Sequence, residues 1–280
     1  VAKRIFSTLV LWTILIGSLW FFGAHAGVAL VTVLSALTLH EFYTMTTKLG
    51  SRPFRVMGQV FNLLIVPAPY VLAYFSEEPD VIASLPAGFL VLALVVCCVR
   101  VLGERDATSR IEAIAATMMG LLFVSFMLHY LVAILMRSGY EGDNLILCVW
   151  TVAVSKFCDV GALLTGLAVG KHKMAPHISP KKTWEGAVGG VLISAGIGAG
   201  IAWFASEHLS PTLTPLVAAL MALPIALITI VSDLIESALK RRADIKDTGV
   251  LIPGIGGAFD LTDSLILTAP VAYFMFLFLE

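Results

Sequence analysis

Apolar residues run through this chain in long blocks, and the polar positions gather in the gaps between them. Blocks of about 18 or more apolar residues predict helices long enough to cross a bilayer. Nine such blocks fall at 5–22, 26–47, 57–75, 81–102, 111–136, 144–168, 184–206, 213–239 and 260–279. The expected fold class is an all-α integral membrane protein, a polytopic bundle of about nine transmembrane helices. Residues 1–140 hold about five of the spans. Residues 141–280 hold the rest, with two long loops at 170–183 and 240–259. Gly186/Gly190 and Gly196/Gly200 have the small-xxx-small spacing that lets helices approach closely. The first block lacks a convincing small-residue cleavage site and reads as a retained helix.

Composition agrees with the pattern. Hydrophobic residues make up 59% of the chain, charged residues 13%, and the mean hydropathy is +0.94. Soluble domains carry about 25% charged residues, so this chain cannot cover itself with a water-facing surface. The four cysteines lie in apolar runs without metal or pairing spacing and read as small buried hydrophobes. The net charge of −1 hides an asymmetry. Gaps on the N-terminal side carry 16 of the 18 basic residues, from Lys3 and Arg4 to Lys246. The opposite gaps carry Arg137 among the acids Glu77, Glu78, Asp80, Glu141, Asp143 and Glu207, and Lys156 lies within a span. The positive-inside bias then puts the N-terminus in the cytoplasm and the C-terminus outside.

The loop at 170–183 and the helix start beyond it read KHKMAPHISPKKTWEG, four lysines and two histidines pinned by two prolines. Lipid contact alone accounts for its charge, but not for the prolines or for Trp184 and Glu185. Nearby, Asp159, Asp233 and Glu236 sit in otherwise apolar segments close to their cytoplasmic ends. An unpaired charge at mid-bilayer costs roughly 2.5–3.5 kcal/mol, against a folding margin of about 5–15 kcal/mol. These acids must be paired, hydrated or holding a cation.

Asp233, Glu236, Ser237 and Lys240 recur at i, i+3, i+4 and i+7, one face of the eighth expected helix. Asp260 and Asp263 open the ninth, where the helix dipole favours acids and a capping role suffices. Lys156 is in reach of Asp159 at i+3, or could pair with Asp233. Together these carboxylates, beside a cluster of lysines, form the hard oxygen set that Mg2+ prefers when it keeps open positions for phosphate. Pro253-Gly254-Ile255-Gly256-Gly257 lies just before Asp260, and such a turn lets backbone N–H groups nest an anion. His40, Glu41 and His129 read as structural; Glu41 could support the site or pair with Lys48.

The stretch from Ser237 through Lys240-Arg241, Lys246-Asp247, Gly249, Pro253 and Gly256-Gly257 to Asp260 and Asp263-Ser264 resembles the signature of the phosphatidate cytidylyltransferases, or CDP-diacylglycerol synthases. Ser232-Asp233-Leu234-Ile235-Glu236 is similar to that family's lead-in, and GKHKMAPHISPKKTWEG to its other diagnostic block, with Asp159 upstream. The resemblance covers about residues 145–279. Two long motifs in the right order are specific. The chain departs from the family at Ile255, where a histidine is usual, and at Leu261, where an arginine is usual. Leu163-Leu164 also stand where the family often has a tyrosine.

The resemblance implies an enzyme of phospholipid biosynthesis that transfers a cytidylyl group from CTP to phosphatidic acid, giving CDP-diacylglycerol and pyrophosphate. Residues 141–280 are then the catalytic region. Carried over, Asp233 and Asp260 hold Mg2+, with Asp263 as a further ligand and a monovalent cation as an optional helper. Lys181, Lys182, Lys240, Arg241 and Lys246 offset phosphate charge, with Asp247 beside them. Ser179 and Ser237 donate to phosphate or nucleotide, and Gly256, Gly257 and Asp159 complete the substrate site. The expected partners are CTP, phosphatidic acid and membrane lipids, with no nucleic acid and a homodimer left open. The expected location is a bacterial inner membrane, with the site facing the cytoplasm. An ion-coupled transporter, a CTP-dependent lipid kinase and an inactive lipid-binding relative are the alternatives.

Overall fold

In the computed structural model the first two expected spans form one helical element, α1 (Ala2–Lys48), broken at Gly23, whose φ of 58° and ψ of −140° are not helical. Glycine enters that region without steric cost. The structure describes residues 2–75, 78–103, 108–137, 143–249, 251 and 256–279. The third expected span is instead two short helices, α2 (Arg55–Ile65) and α3 (Ala68–Leu72). The intervening Val66-Pro67-Ala68-Pro69 accounts for the break, since proline removes an N–H and disfavours helix at the residue before it.

The chain continues through α4 (Pro79–Val101), α5 (Thr108–Gly120), a π-helical turn (Leu121–Phe126) and α6 (Met127–Leu135). Then come α7 (Asn144–Val169), α8 (Trp184–Phe204), α9 (Pro215–Arg242) and α10 (Ala258–Phe276). Among the described residues, seven helices are long and apolar enough to cross a membrane, in place of the nine expected. The fold is all-α and polytopic as expected. The lysine-rich loop carries an antiparallel hairpin, β1 (Lys173–Ala175) and β2 (Ser179–Thr183), with Lys173 opposite Thr183.

The chain divides into two compact units, Val1–Val132 with Arg242–Thr262, and Ala133–Arg241 with Asp263–Glu280. In the first, the core is aromatic. Phe42, Phe123 and Phe259 meet with centroids 6.1–6.4 Å apart. Fully buried Tyr43 donates its hydroxyl to the Thr117 carbonyl at 2.9 Å. A Cβ on Gly58 or Gly120 would strike the Tyr43 ring, so both glycines are spent on seating it. Three of the cysteines are buried, whereas Cys98 is exposed.

In the second unit, α7 and α8 meet through small residues. A Cβ on Gly190 would lie 2.7 Å from the Cys158 carbonyl oxygen, and one on Gly186 2.7 Å from that of Ala162. Gly186/Gly190 is thus a close-packing seam. Gly196 and Gly200 face open space, and it is Gly198 that packs, against Trp150, Ala218 and Ala222. Trp150 donates its indole N–H to Gly198 at 3.0 Å. Gly190→Val is expected to lower stability by about 1–3 kcal/mol, the usual cost of overpacking, because backbone atoms cannot yield as a side-chain tip would. Thermal unfolding in detergent measures it.

Candidate active site

Helix α9 carries Asp233 and Glu236 one turn apart, and α10 contributes Asp263. One oxygen from each of the three lies within 4.8 Å of the others. Glu236 is only 1% exposed. Each acid has a lysine: Lys182 Nζ is 2.6 Å from Asp233 Oδ2, Lys240 Nζ is 2.6 Å from Glu236 Oε1, and Lys156 Nζ is 3.4 Å from Asp263 Oδ1. Lys156 also reaches Asp159 at 4.0 Å and donates to Ser264 Oγ at 2.6 Å. The two 2.6 Å pairs are ionic contacts by distance; Lys182 Nζ lacks hydrogen-bond geometry in its pair.

Lys182 arrives from the hairpin, which is anchored from below. Thr183 caps α8, its Oγ accepting from the Gly186 N–H at 3.1 Å. Glu185 in that helix's first turn accepts from the N–H groups of Lys171 and His172, each at 3.1 Å, and meets His172 Nδ1 at 2.5 Å. Trp184 N–H donates to the His172 carbonyl at 2.9 Å. Thr183, Trp184 and Glu185 therefore close the base of the hairpin and set the direction of β2. On the same strand Ser179 is half-buried and Lys181 exposed. Ser237 Oγ lies 3.5 Å from Asp233 Oδ1, and Arg241 Nε 3.5 Å from the Ile178 carbonyl oxygen.

Asp233 thus pairs with Lys182 rather than Lys156, and Glu236 joins Asp233 and Asp263 in the cluster that has room for a cation. Carboxylate oxygens gathered this closely are the hard donors a divalent cation takes, so the residues present fit such an ion.

Asp260 belongs to a second group, in the other unit. Its Oδ2 accepts from the N–H groups of Gly257 at 2.7 Å and Thr248 at 3.0 Å, and lies 3.0 Å from Thr248 Oγ. Glu41 meets the same turn. Its Oε1 accepts from Ala258 N–H and its Oε2 from Phe259 N–H, each at 2.9 Å, and Thr248 Oγ donates to Oε2 at 2.7 Å. Gly256 has φ of 128°, and a Cβ there would strike the Asp260 carboxylate; Cβ atoms on Gly249 and Gly257 would strike Glu41. The glycines here let backbone close around two acids. Lys246 and Asp247 are exposed in the segment after α9.

Of the departures from the motif, Leu261 is half-buried in α10. Ile255 lies outside the described residues, as do Pro253, Gly254, Glu77, Arg105, Glu141 and Glu280. Spacing alone does not single out Thr248 or Ser264, and for Glu41 it leaves open a support for the site or a pair with Lys48; the structure sets Glu41 on the glycine turn. Thr248 sits inside the motif block and was discoverable there. Glu41 is 207 residues from Thr248, and no local signal joins them.

The chain matches the Cytidylyltransferase family over residues 2–279. It is 30% identical over 260 residues to the phosphatidate cytidylyltransferase of Thermotoga maritima, covering 90% of this chain and 88% of the relative. It is 28% identical over 278 residues to the enzyme of that name from Synechocystis sp., covering 91% and 88%. Protein YnbB of Escherichia coli, itself uncharacterized, is 33% identical over 215 residues, 75% of this chain and 67% of YnbB. With acids and lysines grouped on helices that are apolar elsewhere, and a match running almost end to end, the chain belongs to the cytidylyltransferase family.

Proposed function

We propose that this integral membrane protein is a phosphatidate cytidylyltransferase, transferring the cytidylyl group of CTP to phosphatidic acid to form CDP-diacylglycerol and pyrophosphate. The observation that carries the reading is the meeting of its two motif blocks: Lys182 of the hairpin lies 2.6 Å from Asp233 of α9, beside the Glu236 and Asp263 carboxylates. A phosphatidate oxygen attacks the α-phosphorus of CTP, the bond from that phosphorus to the bridging oxygen of the β-phosphate breaks, and pyrophosphate leaves. The attacking group is already an anion, so no strong base is needed and the histidine replaced by Ile255 is dispensable.

The work left to the protein is positioning and charge neutralisation. Asp233, Glu236 and Asp263 would hold Mg2+, with Asp260 retained as a catalytic carboxylate. Bound there, the metal supplies Lewis-acid neutralisation of the triphosphate. Four acids (Asp159, Asp233, Glu236, Asp263) now share three lysines (Lys156, Lys182, Lys240). A divalent cation held there would shift the cluster from net negative to net positive charge, and Lys182 and Lys240 are the lysines that would then be available to phosphate oxygens. Lys181, Arg241 and Lys246, with Asp247 beside it, are the further residues that would offset phosphate charge. Ser179 and Ser237 donate to phosphate or nucleotide, and Gly256 offers a backbone N–H, while Gly257, whose N–H is held by Asp260, shapes the turn. Residues 141–280 form the catalytic region. Its site faces the cytoplasm of a bacterial inner membrane, where soluble CTP and a bilayer lipid meet.

The test is transfer of label from CTP to lipid by protein purified in detergent with phosphatidic acid and Mg2+. Label from the α-phosphorus is expected in lipid and label from the γ-phosphorus is not. Lipid labelled only from the γ-phosphorus makes the protein a kinase. CTP binding with no transfer in either case makes it an inactive relative.

A further inference from the structure

Helix α10 begins with a cap that its own sequence supplies only in part. The first N–H groups of a helix have no partner within it. In a capping box the third helical residue accepts from the N-cap N–H, and a Ser or Thr side chain at the N-cap returns the bond. Asp260 makes the first half of this exchange with Gly257. Gly257 has no side chain with which to make the second. Glu41, in the last two turns of α1, instead takes the two N–H groups between Gly257 and Asp260, accepting from Ala258 and Phe259 at 2.9 Å each.

The Thr248 hydroxyl then joins the two carboxylates, 2.7 Å from Glu41 Oε2 and 3.0 Å from Asp260 Oδ2. It has one proton for two acceptors, so the orientation of each acid is coupled to that of the other. A half-buried carboxylate at a helix N-terminus is also favoured by the helix dipole. All of these groups lie in one compact unit.

We propose that Glu41 is a positioning residue for cytidylyl transfer. It fixes the start of α10 and, through Thr248, the carboxylate of Asp260, without touching substrate itself. The inference rests on the cytidylyltransferase reading and adds to it a residue outside both motif blocks.

Glu41→Gln keeps the shape but leaves one acceptor where two backbone N–H groups need one each. It is expected to lower kcat by about tenfold to a hundredfold, the scale of an ångström of misplacement, with KM for phosphatidic acid unchanged. Thr248→Val should fall the same way, and Thr248→Ser, which keeps the hydroxyl, should retain wild-type turnover. The Glu41→Gln/Thr248→Val double variant should be no slower than the worse single, because both break one linkage. A folded Glu41→Gln protein with wild-type kcat overturns the proposal. So does equal turnover of Thr248→Ser and Thr248→Val, or full additivity in the double variant. If Glu41→Gln does not fold, the Thr248 pair decides.

Amide hydrogen exchange separates this proposal from the function on which it rests. Should the wild-type protein transfer no label, the cytidylyltransferase reading fails. Faster exchange of the Gly257–Leu261 amides in Glu41→Gln, with α7 and α8 unchanged, still supports the link from Glu41 to α10; unchanged exchange at those amides overturns it.

Discussion

Asp263→Asn is expected to cut cytidylyl transfer by at least about a hundredfold and up to about a thousandfold, the range for removing one preorganised charge from a reacting centre. The fold should survive the change. The Asp263 backbone carbonyl accepts from Ser232 Oγ, and this bond is untouched. Its Oδ1 accepts from Ser264 N–H at 2.6 Å, and an asparagine oxygen serves there as well. Lys156 would lose one carboxylate but keep Ser264 Oγ at 2.6 Å and Asp159 at 4.0 Å, so the substitution does not strand a buried cation. What disappears is one negative oxygen from a set of three that lies within 4.8 Å.

Two measurements together check this: turnover as a function of Mg2+ concentration, and thermal unfolding of the same preparation. A variant with near-wild-type melting, a large loss of turnover and a higher Mg2+ requirement fits Asp263 as a ligand. Wild-type turnover at limiting Mg2+ would take it out of the metal set. Glu236→Gln is a sharper version of the experiment, because that carboxylate is 1% exposed and paired with Lys240 at 2.6 Å. Removing one partner of a buried ion pair costs about 3–5 kcal/mol, so its activity loss would be mixed with instability. For that reason Asp263 is the cleaner probe.

How much of this was legible beforehand depends on whether the governing contact is local. Asp233 and Glu236 are separated by three residues, and the helical period alone puts them on one face. That Asp263 joins them is set by the rotation of α10 about its axis, and a spacing of i and i+3 does not specify it. The broken third span was written in Pro67 and Pro69, two local signals that apolar content outweighed. The fusion of the first two spans at Gly23 was not, since a glycine in an apolar run reads equally as a turn or as helix.

The lysine loop was recognisable by composition, whereas its hairpin depends on Glu185 gripping the backbone of Lys171 and His172. Gly186/Gly190 is the packing seam its spacing predicts, but Gly198 and not Gly196 or Gly200 packs in the next turns, because the facing surface of α9 and Trp150 selects the register. Glu41 was the least visible of all. Its role comes entirely from donors more than 200 positions away, Thr248, Ala258 and Phe259.

Asp260→Asn separates two tasks that one carboxylate performs. Oδ2 of Asp260 holds the N–H groups of Gly257 and Thr248 and so fastens the glycine turn to the start of α10. An asparagine side-chain oxygen can accept both bonds, so the turn keeps its acceptor and only the negative charge is lost. The expected result is a folded protein, melting within a few degrees of wild type, whose turnover is lower by about two to three orders of magnitude. Asp260→Ala is the necessary contrast. It removes the acceptor as well, leaving donors unsatisfied at about 1–3 kcal/mol each where they are shielded from water, and should lower the melting temperature in addition to turnover. Turnover near wild type in Asp260→Asn, combined with a clear melting loss in Asp260→Ala, would make Asp260 a cap and nothing more. Catalytic charge would then rest on Asp233, Glu236 and Asp263. Low turnover in both variants, with normal melting in the asparagine variant alone, instead requires the charge of Asp260 in the reaction, in addition to the hydrogen bonds that hold it.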